Sequence, residues 1–115
     1  MDVTPKPEIS AGEFFAVDMR VGRVISVDPF PEARKPAWKV RVDFGAAGTL
    51  QTSAQITNYD PEELLGALVV GAVNVGSKRV AGFRSEFLLL GAVSEGDVVR
   101  LLHPDAGAEP GDPVS

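Results

Sequence analysis

The chain has 115 residues, room for one small core, and its 44% hydrophobic and 23% charged residues exclude a disordered chain, a collagen-like repeat and a coiled coil. With no Cys and one His, His103, it has no disulfide framework, no thiolate nucleophile, no Cys-ligated metal and no two-His metal site within one chain. The net charge of −5 counts against an indiscriminate nucleic-acid binder, yet residues 20–104 carry ten Lys/Arg against nine Asp/Glu, and the termini supply the acidity.

Taken in order, residues 1–8 read as an extended arm with Pro5 and Pro7. Ser10 and Glu13 form a capping box that opens a helix of about two turns, whose apolar side is Phe14, Phe15 and Val17 and which needs a surface to pack on. Met19–Asp28 is β-branched and roughly alternating, with Gly22 expected at a bulge or bend. Pro29, Pro31 and Pro36 bracket a loop. Ala37–Phe44 then puts Trp38, Val40, Val42 and Phe44 on one face of a strand and Lys39, Arg41 and Asp43 on the other. Gly45–Gly48 is a hairpin connection to Thr49–Ile56, whose inner face is Leu50, Thr52, Ala54 and Ile56.

Asp60-Pro61-Glu62-Glu63 opens a second short helix: an N-cap, a proline at the first position, then acids at the positive end of the dipole. Leu68–Val75 is nearly all apolar, a strand buried on both faces or a subunit contact. Ser77–Gly82 reads as a basic loop. Glu86–Val93 and Val98–Leu102 read as two strands, and residues 104–115 as a Pro/Gly-rich tail. Five or six short strands, with a helix between the third and fourth, give an all-β fold with the pattern of a five-stranded OB-fold Greek-key barrel; another small barrel or a meander shares much of that pattern.

No catalytic pattern stands out. There is no G-x-S-x-G, Walker loop, H-E-x-x-H or G-x-G-x-x-G, and no pair of carboxylates at a telling spacing, so neither an enzyme nor a cofactor or metal site is expected. His103, at a strand end, reads as a structural or surface imidazole. The N-terminus has no basic segment followed by an apolar run, and no apolar stretch exceeds about eight residues, so a cytoplasmic protein without membrane insertion is expected.

The positive charge is placed more tellingly. Arg34 and Lys35 fall in the loop between strands one and two, Lys39 and Arg41 on the outer face of strand two, and Lys78, Arg79 and Arg84 between strands four and five. On an OB-fold these positions converge on the face that takes oligonucleotides. Aromatic residues are scarce there: Phe30 and Phe83 are the loop candidates, unless either is core. An extended polypeptide is the alternative occupant, with Phe30, Trp38 and Phe83 as its apolar contacts.

The segments DMRVGRV (18–24), FPEARKPAWKVRVDFG (30–45), TSAQIT (52–57), VVGAVN (69–74) and GFRSEFLLLG (82–91) resemble the tRNA-binding-domain family. PEARKP, SAQI and FRSE resemble its CsaA branch in particular, as does Phe87-Leu88 after the Ser-Glu pair, where the synthetase-type branch has a small residue and Met. The likeness spans about residues 8–114. It implies an OB-fold core, a homodimer joined through the N-terminal helix and C-terminal strands, tRNA binding, and a chaperone role toward unfolded or preprotein chains during export. By position it places the binding residues at Lys35, Lys39, Asn74, Lys78, Arg79, Arg84, Ser85 and Glu86, with Asn74, Ser85 and Glu86 available either for hydrogen bonds to bases or to a peptide backbone or to fix the loop between strands four and five.

Overall fold

The structure, a computed structural model, describes residues 2–115; Met1, the first residue of the expected arm, lies outside them. Residues 2–9 are exposed and without regular structure. The capping box then starts α1 (Ala11–Phe15): the Ser10 hydroxyl accepts from the Glu13 amide at 3.1 Å, and the Glu13 carboxylate accepts from the Ser10 amide at 3.1 Å. None of the residues of α1 is buried.

Five strands form one antiparallel path, β3-β2-β1-β4-β7, from β1 (Met19–Pro29), β2 (Trp38–Asp43), β3 (Thr49–Ala54), β4 (Leu68–Ala72) and β7 (Leu88–Leu89), with α2 (Pro61–Leu64) between β3 and β4. β1 serves two partners in turn. Its residues 19–23 pair with β4 and its residues 23–29 with β2, and the register shifts between Val24 and Ser26 where the strand bends. Gly22, expected at that bend, lies three residues earlier and has another task. A Cβ there would clash with Val42 Cγ1 and sit 2.8 Å from the Phe44 ring, so its missing side chain makes room for the core. The barrel closes between β3 and the start of β7 through the Glu86 amide, which donates to the Gln51 carbonyl at 2.8 Å, and the Thr52 hydroxyl, which donates to the Phe87 carbonyl at 2.9 Å.

Alternation along β2 and β3 sends Val40, Val42, Thr52 and Ala54 inward. With Val24, Phe44, Ile56, Leu64, Val69, Phe87 and Leu101 they fill the barrel, and Phe44 meets Phe87 edge-on at 4.9 Å. Val69–Ala72 are all buried within one chain, as in a strand covered on both faces, but the strand ends at Ala72, short of the expected Val75, which is exposed.

Three stretches differ from expectation. Ser77–Gly82, read as a loop, holds β5 (Lys78–Val80), which pairs with β6 (Phe83–Ser85). Their two-residue turn has Ala81 at φ 47 and Gly82 at φ 83, the mirror-image turn that suits a hairpin's twist; alanine at the first position hides it from a sequence reading, because Asn or Gly usually stands there. Glu86–Val93, read as one strand, is broken into β7 and β8 (Gly91–Val93), the latter turning away to pair with β9 (Val99–Leu101). The Pro/Gly-rich tail ends in β10 (Pro113–Val114), which extends β1: the Val21 amide donates to the Asp112 carbonyl at 2.9 Å and the Gly111 amide to the Val21 carbonyl at 2.7 Å. His103 is an exposed imidazole with Nδ1 2.6 Å from the Leu68 carbonyl. Among the described residues no helix is long and apolar enough to cross a membrane.

Candidate nucleic-acid interface

The outer face of the β2–β3 pair is polar by register. Lys39 stands opposite Ser53 and Arg41 opposite Gln51, all four on the side that the alternation turns away from the core. The loop after β1 borders this face at one side. The β5–β6 hairpin borders it at the other, held beside β3 by the Gln51 side-chain amide, which donates to the Arg84 carbonyl at 2.9 Å. The two borders meet over the face. Phe83 of β6 lies 5.5 Å from Phe30, and the Lys39 ammonium sits 4.8 Å from the Phe30 ring centre and 5.3 Å from that of Phe83. Beside them, Ala33, Arg34, Lys35 and Ala37 face Ser53, Gln55, Val80 and Ala81 across an open cleft of about 670 Å³.

Seven of the chain's eleven basic residues belong to these elements. Arg34, Lys35, Arg41, Lys78, Arg79 and Arg84 are exposed and Lys39 is half-buried. None of them has a carboxylate within 4.0 Å: among the described residues the only ion pair is Arg20 with Asp18, 2.6 Å apart at the start of β1. There the hydrogen bond and charge of Asp18 raise the Arg20 guanidinium above its ordinary pKa. The Arg79 guanidinium donates to the Gly82 carbonyl at 3.0 Å, which braces the hairpin without neutralising the charge. The face is therefore an unneutralised cationic surface on a chain whose sum is −5.

The three polar residues placed here by resemblance are engaged in structure. Asn74 clamps the N-terminal segment to the end of β4: its Oδ1 accepts from the Asp18 amide at 2.7 Å, and its Nδ2 donates to the Ala16 carbonyl at 2.8 Å. Asn74→Ala is expected to loosen α1 and cost about 1 kcal/mol of stability in a denaturant titration, with affinity for nucleic acid unchanged. The Ser85 hydroxyl meets that of Thr52 at 2.7 Å and accepts from the Ser53 amide at 3.2 Å, while Glu86 Oε1 accepts from the Gln51 amide at 3.1 Å. Both side chains stand in for backbone acceptors along the edge of β3 where the barrel closes. Of the three apolar candidates, Phe30 is 5% exposed, and Phe83 is half-buried against it. Trp38 packs on the core and donates from Nε1 to the Tyr59 carbonyl at 3.0 Å. The sequence reading missed Gln51, Ser53 and Gln55 on this face. Their signal was the outward half of the alternation in Thr49–Ile56, opposite Lys39 and Arg41.

A second cleft, of about 530 Å³, shares Ser53, Gln55 and Val80 with the first, takes in Lys78, and is otherwise mostly apolar, with Ile56, Val75, Leu88, Leu89 and Val99 in its walls.

The family model described as "Putative tRNA binding domain" matches residues 19–113. Among solved structures, the CsaA chaperone protein of Picrophilus torridus superposes with a TM-score of 0.89 at 45% identity, covering 94% of this chain and 100% of that one. Chaperone CsaA of Bacillus anthracis also gives a TM-score of 0.89, at 44% identity over 95% of this chain and 100% of that one. The methionine–tRNA ligase of Rhodopirellula baltica is 39% identical over 93% of this chain but only 16% of its own length, so the likeness to the ligases is confined to their tRNA-binding part. The fold is the OB-type barrel of the CsaA structures. With a family model covering most of its length and relatives aligned nearly end to end, the chain belongs to the tRNA-binding-domain family.

Proposed function

We propose that this protein binds tRNA on the outer face of β2–β3, gripping the phosphate backbone between the loop after β1 and the β5–β6 hairpin. One observation carries the reading: Lys39 and Arg41 share the outer face of β2–β3, Arg34 and Lys35 stand in the loop at one border of it and Lys78, Arg79 and Arg84 in the hairpin at the other, and none of the seven has a carboxylate paired to it. Lysine and arginine so placed contact phosphates and fix position and shape rather than sequence. This reading puts the protein's work in the cytoplasm. Fluorescence anisotropy of labelled tRNA across a salt series tests it. If all seven cations meet phosphates, log affinity falls against log salt with a slope of about −5 to −6. A slope near zero would mean that the face is merely solvated.

The same reading includes a homodimer. Phe14 and Phe15 of α1, a helix too short to hold itself, and Val17 just after it are all exposed. Sedimentation at micromolar concentration is expected to give about twice the 12.1 kDa of one chain; a single-chain mass would remove the dimer from the account. A second occupant, an extended unfolded or preprotein chain, is favoured by the apolar cleft beside Val75 and Leu88. Suppression of aggregation that persists in high salt is the outcome this second reading requires, because apolar contacts release no counterions.

A further inference from the structure

Lys39 is the one cation of the basic face that is not exposed. It lies over two phenyl rings, 4.8 and 5.3 Å from their centres, with no carboxylate within 4.0 Å. Those rings come from different borders of the face: Phe30 ends the first strand region, and Phe83 opens β6. Arg34 and Lys35 line the adjoining cleft together with Val80, the hairpin partner of Phe83. An aromatic pair with Arg34 and Lys35 in the cleft beside it, capped by one ammonium, has the parts of a stacking site for a base whose flanking phosphate falls to those cations.

We propose that the Phe30–Phe83 pair is a nucleobase-stacking platform covered by Lys39 in the free protein. An unpaired nucleotide takes the place of the ammonium, and Lys39 swings on its flexible stem to that nucleotide's phosphate. The exchange is conservative. A cation over the negative face of a ring is replaced by another π-surface, and the displaced charge gains a phosphate in place of a weak contact. This inference rests on the RNA reading above and deepens it, because it selects single-stranded loops or ends, whose bases are free to stack, over paired helix. It assigns Phe30 and Phe83 to a base rather than to a polypeptide.

The test uses a short single-stranded RNA carrying one 2-aminopurine and a blunt RNA duplex of equal length, each with the wild-type protein, Phe83→Leu and Lys39→Ala. The wild-type protein is expected to quench the 2-aminopurine. Phe83→Leu, which keeps apolar volume, is expected to weaken single-strand binding by about 5- to 150-fold with the salt slope unchanged, and to leave duplex binding as it was. Lys39→Ala is expected to flatten the single-strand slope by about 0.7 while the quench persists. Equal weakening of both RNAs by Phe83→Leu would make the pair a plain anchor for the hairpin and overturn the proposal. So would bound RNA with no quench in the wild-type protein, a readout that decides the matter even if Phe83→Leu does not fold. Loss of aggregation suppression in Phe83→Leu with RNA binding intact would give the pair to polypeptide and overturn it likewise. If neither RNA binds the wild-type protein, the RNA reading itself fails, which is a distinct result.

Discussion

Phe44→Ala is expected to cost about 3–5 kcal/mol, the largest loss from any single truncation in this core. The ring is 0% exposed and lies against two glycines on neighbouring strands. A Cβ at Gly22 would come within 2.8 Å of Phe44 Cδ1, and one at Gly71 within 2.8 Å of Phe44 Cζ. The ring thus fills the space those glycines leave, and it meets Phe87 edge-on, so nothing nearby can collapse into the hole. Small domains are stable by roughly 5–15 kcal/mol, so a large share of that margin would go. Chemical denaturation checks it: the midpoint should drop with the slope unchanged. A loss below about 1 kcal/mol would show that the barrel packs without this ring.

The second large effect concerns binding alone. Replacing Arg41, Lys78, Arg79 and Arg84 together by alanine is expected to flatten the salt slope for tRNA by about 3 and to lower affinity on the order of a thousandfold at 0.1 M salt. Folding should be nearly untouched, because all four side chains are exposed and none is in an ion pair. Affinity and slope should therefore move while the denaturation midpoint stays. A thermal or chemical destabilisation comparable to that of Phe44→Ala would assign these residues to the fold rather than to a ligand.

Much of the fold is legible in the chain because its local signals agree. Val40, Val42, Thr52 and Ala54 are buried as the period-two pattern requires, the box at Ser10 caps the helix it announces, and the second helix starts at Asp60 as read, the Asp60 amide donating to the Glu63 carboxylate. The illegible parts depend on contacts between distant residues. Gly22 looks like a bend in one dimension and is a close approach in three. The β5–β6 hairpin turns on Ala81 in a conformation that alanine rarely adopts, and β10 is only two residues long and exists because β1 offers an edge. The site divides along the same line. Charges could be placed from strand alternation and loop position, since exposed cations need only a face. Hydrogen-bonding roles could not. Asn74, Ser85 and Glu86 look like recognition groups in sequence, but their partners lie 32 or more residues away, on Asp18, Ala16, Thr52, Ser53 and Gln51.

Backbone amide NMR of the labelled protein titrated with tRNA locates the interface most directly. The account predicts shifts confined to residues 30–41, 51–55 and 78–84, fading as salt is raised. Shifts clustered instead at Val75, Leu88 and Val99, and indifferent to salt, would contradict it and give the apolar cleft the ligand.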